Sequence, residues 1–259
     1  MTRRIGIGCL LMVLLVVGAL PLVAPHDPAQ TSLEHFLEPP NADHLLGTDN
    51  IGRDVLARLA AGALNSLGVA LVALVLSSFV GTVVGAASGF TGGLTDRAVT
   101  SVVDLLLAFP RFVLLLNLTA VLPISSSLFL GLLIGVTSWM GTARLVRIEV
   151  LSLRERVFVE AARVSGAGEA RILVRHVAPH LARLVKEKTG LRFATVILLA
   201  ASLDYLGLGL PADSPTWGRM IRDGQTYLQN APWVALAPIG TLCLTAVGLV
   251  LVTEREARV

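Results

Sequence analysis

Four stretches of this chain contain no Asp, Glu, Lys or Arg: residues 5–24, 59–95, 112–143 and 224–253. No other feature constrains the fold as strongly. A helix needs roughly 20 apolar residues to cross the hydrocarbon core of a bilayer, and each of these runs is long enough. Only 15% of the residues are charged and 54% are hydrophobic, whereas a soluble domain carries about a quarter charged residues. The expectation is an all-α, polytopic membrane protein.

Residues 1–24, "MTRRIGIGCLLMVLLVVGALPLVA", exceed the usual apolar core of a signal peptide, about 7–15 residues. Pro25 follows the only plausible cleavage position, "LVA". The stretch is therefore read as an uncleaved first span, with Arg3 and Arg4 holding the N-terminus in the cytoplasm. Further spans are expected at about 62–88, 98–122, 126–143, 190–210 and 233–252, six in all. Residues 25–60 and the loop before 232 are read as external. No internal repeat is visible. The domain reading is an N-terminal span with its external segment (1–60), followed by a transmembrane domain (61–259) that carries a polar insert at 149–182.

Charge follows this topology. Eleven of the 21 Lys and Arg residues lie between Arg144 and Arg192, against four in the two large external segments: Arg53, Arg58, Arg219 and Arg222. The same external segments hold Asp27, Glu34, Glu38, Asp43, Asp49, Asp54, Asp213 and Asp223. Cationic loops stay on the cytoplasmic side, so six spans with both termini cytoplasmic fit best.

The insert "VFVEAARVSGAGEARILVRHVAPHL" (157–181) reads as a short helix, a sharp turn and a second helix. Gly166 suits the left-handed residue that closes a helix. Glu169 favours the first turn of the next helix, and Pro179 is expected to stop it. Glu160-Ala161-Ala162 would let another protein approach closely around one carboxylate. On residue chemistry alone, a loop whose arginines merely snorkel to lipid headgroups is as good a reading.

Glu160-Ala161-Ala162, Gly166 four residues on, and Pro179 beyond resemble the "EAA" loop of ABC-importer permeases. "HLLGTDNIGRDVLARL" (44–59), "VVDLLLAFP" (102–110), "ARLVRIEVLSLRERVFVEAAR" (143–163), "SLDYLGLGLPADSPTWGRMI" (202–221) and "APW" (231–233) extend the resemblance. They point to the second permease of the dipeptide, oligopeptide and nickel branch, over about residues 25–245. The resemblance implies the type I importer permease fold in a bacterial inner membrane. Its insert would be a coupling helix that docks on an ATPase through Glu160, Ala161, Ala162, Ser165, Gly166 and Pro179. The partners implied are a homologous permease subunit, two ABC ATPases that bind ATP and magnesium, an external solute-binding protein and the lipid bilayer; nucleic acid is not among them. This chain departs from the family at Ala178, His180 and Ala200, where Leu, Asn and Glu are usual. The family also has a longer tail beyond "VTEREARV".

Asp104 and Arg111 stand two helical turns apart and are expected on one face of the third span, with Pro110 kinking it between them. A charge in a span costs about 3 kcal/mol on insertion scales, so the two are read either as lining a translocation pathway or as a packing ion pair. Asp204, next to "YLGLG", is read towards the pathway. His26, His35 and His44 are external, but spacings of nine residues on a Pro-rich loop fix no metal geometry. His176 and His180 lack the Glu of a zinc-protease helix. Cys9 and Cys243 are read as small buried hydrophobes.

Gly166–Gly168 is no phosphate loop, because a Walker A motif needs Gly-Lys-Ser/Thr. The function expected is thus a permease subunit without catalysis or cofactor of its own, moving short peptides. Nickel or a nickel chelate is the alternative cargo. An ATP-independent transporter or channel is the alternative class.

Overall fold

Asp54 begins the helix around which the other elements pack. Its carboxylate accepts a hydrogen bond from the Ala57 N–H at 2.7 Å, satisfying one of the donors that every helix start leaves open. From there α2 (Val55–Thr91) runs 37 residues, about 55 Å at 1.5 Å per residue. The expected boundary between 60 and 61 falls inside it. The computed structural model describes residues 2–19, 22 and 26–253. Among these every regular element is helical: α1 (Thr2–Leu14, prolonged by a π turn to Ala19), α2, α3 (Gly93–Ala108), α4 (Arg111–Val121), α5 (Ser127–Val136), α6 (Met140–Arg154), α7 (Val157–Val164), α8 (Glu169–Ile172), α9 (Ala178–Tyr205), α10 (Trp217–Gln225) and α11 (Trp233–Thr253). The cleavage position before Pro25 and the tail from Glu254 lie outside the described residues.

The helices meet through glycine. Gly81, Gly85 and Gly89, four residues apart on one stripe of α2, let the α6 backbone come into contact. A Cβ on Gly81 would lie 2.6 Å from the Trp139 carbonyl oxygen, and one on Gly89 2.9 Å from that of Arg147. Small residues at this spacing drive helix packing where lipid removes the hydrophobic incentive. Gly131 and Gly135 of α5 do the same against Val72 and Leu76 of α2, and Gly6 of α1 against Leu251 of α11.

Among the described residues, three helices are long and apolar enough to span a bilayer: Thr2–Ala19, Val55–Thr91 and Trp233–Thr253. Two more spans are possible if each bent pair counts as one. The α3/α4 pair turns by 77° and the α5/α6 pair by 46°. The first bend follows from Pro110, which has no N–H to donate and forces the residue before it out of the helical region; Phe109 sits at φ −80°, ψ 131°. At the second bend, Thr137 Oγ1 donates back to the Leu133 and Ile134 carbonyls, and such back-bonding bends helices.

Two expectations change here. The expected fifth span, 190–210, is the second half of the 28-residue α9, which ends at Tyr205. Its first half carries Arg183, Lys186, Glu187 and Lys188, so α9 does not meet the same measure of length and apolarity. Pro179 does not stop the second helix of the insert. It lies in the first turn of α9, directly after a π turn at Leu173–Val177 that joins α8 to α9, the kind of local irregularity with which a helix accommodates a proline. The helical path runs unbroken from Glu169 to Tyr205.

The apolar core has two parts. One, around Leu59, Leu115, Leu130, Ile197, Leu203 and Trp217, lies where α2, α4, α5, α9 and α10 meet. The other, around Val146, Val150, Val159, Ile172 and Leu181, ties α6 to the insert. Cys243 is exposed and Cys9 half-buried, so neither is the buried hydrophobe expected.

Candidate functional site

The insert folds into a hairpin of α7 and α8 under the core. Val159, fully buried, is its peg into the cluster of Val150, Ile172 and Leu181. Ala162 packs there partially, which leaves Glu160 and Ala161 exposed. The turn is a Schellman motif. Ala167 N–H donates to the Ala162 carbonyl at 3.0 Å and Gly166 N–H to that of Arg163 at 2.9 Å, the two bonds that close a helix on a left-handed residue. Gly166 has φ +80°, and nothing lies within 4 Å of where its Cβ would be. Backbone conformation alone calls for glycine.

Three side-chain contacts brace the hairpin. Arg163 grips Glu169 with Nε at 2.9 Å and Nη2 at 3.2 Å, and this guanidinium holds the Glu169 carboxyl below its ordinary range. Ser165 Oγ donates to the Ala161 carbonyl at 2.8 Å. Phe158 stacks on His180 with ring centres 5.5 Å apart, which joins α7 to the start of α9 beside Pro179. Five of the six residues expected in this site thus lie on one hairpin, and Pro179 borders it. Three valines remain uncovered: Val157 at 80% exposure, Val164 at 85% and Val174 at 70%.

The charges within the expected spans are arranged differently from the sequence reading. Asp104 and Arg111 do not share a helix face, because the 77° bend separates α3 from α4. Asp104 instead faces Arg144 of α6 at 3.8 Å, both half or more exposed. Arg111 lies with Lys188 and Arg192 of α9 on a cavity of about 400 Å³, whose remaining wall includes Ser77, Ser138, Thr142 and Thr195. Arg192 Nη1 is buried there with no hydrogen-bond partner among the described residues. Sequence reasoning missed Lys188 and Arg192 because they lie 77 or more positions from Arg111, and no local spacing connects them.

Asp204, read towards the pathway, is 1% exposed. Its Oδ1 accepts the Leu210 N–H at 3.0 Å, so it ties off the Gly207–Leu210 loop. Below that loop Trp217 is fully buried, and its Nε1 donates to the Leu59 carbonyl at 3.0 Å. A second cavity of about 550 Å³ opens at this end beside Thr119, Ile124, Arg219, Arg222 and Asp223.

Residues 81–255 match the family described as binding-protein-dependent transport system inner membrane component. The chain is 35% identical over 245 residues to an oligopeptide transport system permease protein of Bacillus subtilis, covering 93% of this chain and 80% of that one. It is 35% identical over 246 residues to a dipeptide transport system permease protein of Alkalihalophilus pseudofirmus, covering 94% and 80%. To an oligopeptide transport system permease protein of Mycobacterium tuberculosis it is 36% identical over 243 residues, covering 93% and 84%.

Proposed function

The chain belongs to the binding-protein-dependent transport system inner membrane components, and from that membership we propose that it is the multi-pass permease subunit of an ABC importer for short peptides. Names that specify oligopeptide and dipeptide transport among its relatives favour this cargo. The importer would combine the chain with a homologous permease, two cytoplasmic ATPases that bind ATP and magnesium, and an external solute-binding protein. Six spans would put both termini in the cytoplasm; the second half of α9, apolar apart from Arg192 and Asp204, would complete the set with α1, α2, α11 and the two bent pairs.

The observation that carries the reading is the hairpin. It offers an uncovered apolar face, Val157, Ala161 and Val164 at successive helical turns, beside the single carboxylate of Glu160. An apolar patch rimmed by charge marks a protein or membrane contact, and membership in a transport system with partner subunits favours the protein. Because α8 continues into α9, a displacement of the hairpin by closing ATPases is carried up a stiff helix to the Asp204 knot and the external loop. That linkage would tip the spans between inward and outward access. The cavity with Arg111, Lys188 and Arg192 is the polar station on this path, and three cations suit the carboxylate that every peptide carries at its C-terminus.

The test is capture of the ATPase. The chain carrying both Val164→Asp and Glu160→Arg should insert at normal yield yet lose co-purification with its ATPase subunits. Wild-type co-purification by that double variant would refute docking through α7. A wild-type complex that transports with no ATPase attached would establish the ATP-independent class instead.

A further inference from the structure

The external segment holds an arrangement that the permease function does not use. His26, His44 and Asp54 present one ligand atom each, all within 4.8 Å of one another. The His26 and His44 rings are 4.9 Å apart. His44 Nδ1 is 2.9 Å from Asp54 Oδ2, and His26 Nδ1 is 3.9 Å from the same oxygen. A third imidazole, His35, lies 5.4 Å from His44, and all four residues border a pocket of about 320 Å³.

We propose that His26, His44 and Asp54 form a binding site for a divalent first-row transition cation of zinc-like preference. Imidazole with carboxylate is the donor set such ions take. Around zinc at about 2.0–2.1 Å, ligand atoms stand about 3.3 Å apart, so the site closes by turning side chains, chiefly the half-exposed His26. The scaffold under the other two is fixed. Asp54 is anchored at the N-terminus of α2 through Ala57, and the His44 N–H is held by Asn41 Oδ1 at 2.6 Å. The ion would take the place of the His44–Asp54 hydrogen bond, since a coordinating imidazole nitrogen must carry no proton. The rival grouping of His35, Glu38 and His44 is the weaker one, since both outer members are more exposed than Asp54. A bound ion would clamp the external segment to the start of α2.

The experiment is a zinc titration of the full chain in detergent, purified on a tag without histidines and stripped with chelator, against a chromophoric competitor. One zinc per chain is expected. His44→Ala should weaken binding by about 100-fold or more and His26→Ala by at least about tenfold, measured against the roughly 10–100-fold typical of lost supporting partners. His35→Ala should have a smaller effect, and His176→Ala with His180→Ala none. Cobalt(II) in the wild type should give the intense visible bands of low coordination. Helical content of each metal-free variant shows whether it has folded. Zinc affinity unchanged in folded His26→Ala overturns the site, as does binding lost on His35→Ala alone. Either result leaves the permease reading intact.

Discussion

Gly85 of α2 sits against Ala143 of α6 so closely that a Cβ on it would lie 2.9 Å from the Ala143 Cα and overlap the Ala143 carbonyl oxygen. The atoms in the way are backbone and cannot rotate aside.

Gly85→Ala should therefore force α6 off α2, at about 1–3 kcal/mol for overpacking. Extraction yield and thermal stability of the complex would fall. Gly68→Ala on the same helix, with nothing within 4 Å, should raise or preserve both. Equal behaviour of the two variants would show that the α2–α6 approach is looser than described.

Gly166→Val should uncouple transport from ATP hydrolysis while leaving the chain inserted. A β-branched side chain at φ +80° costs at least the roughly 1–2 kcal/mol of a left-handed residue, and open surroundings within this chain leave no internal clash to add to it. Gly166→Asn, which tolerates that conformation better, should recover most activity. Uptake and ATPase rate in reconstituted complex decide it; normal uptake with Val would remove the turn from the coupling path.

Asp204→Ala leaves the Leu210 N–H without its acceptor, an unsatisfied buried group worth about 1–3 kcal/mol. Asp204→Asn keeps an acceptor oxygen and should lie much closer to wild type. Protease sensitivity of the 206–216 loop reads the difference. A pathway role would instead give intact loops and reduced uptake with both variants.

The charged pairs separate in a double-mutant cycle. Asp104→Asn with Arg144→Gln should show coupling of at most about 1 kcal/mol, because both side chains are well exposed. Asp104→Asn with Arg111→Gln should be additive, since the 77° bend at Pro110 turns the two apart and Asp104 faces Arg144 instead. Arg111→Gln and Arg192→Gln should lower uptake without lowering complex yield. Coupling between Asp104 and Arg111 would contradict the 77° bend.

Topology has its own test. With Cys9 and Cys243 changed to alanine, single cysteines at Asp43 and Asp223 should react with an impermeant thiol reagent from outside. One at Glu169 should react only after permeabilisation. External labelling at 169 would exclude any contact between the hairpin and an ATPase.

The division between sequence and structure is physical. Uninterrupted apolar runs must be buried in lipid, and loop charge must respect the membrane, so helical class and the place of the insert were determined by composition along the chain. Gly166 was legible because a left-handed helix end is a local backbone demand, met within four residues. Contacts between distant segments were not. Whether Asp104 meets Arg111 or Arg144 depends on the angle at Pro110, and that angle is chosen by what α3 and α4 pack against. Pro179 was misread because a proline that ends one helix and a proline that begins the next have the same local sequence, and only the helical path through Leu173–Val177 distinguishes them. The imidazoles of His26, His35 and His44 looked scattered at intervals of nine residues; the folding of the segment onto the N-terminus of α2 brought His26 and His44 to Asp54 with His35 beside His44, and nothing short of the tertiary structure could have done so.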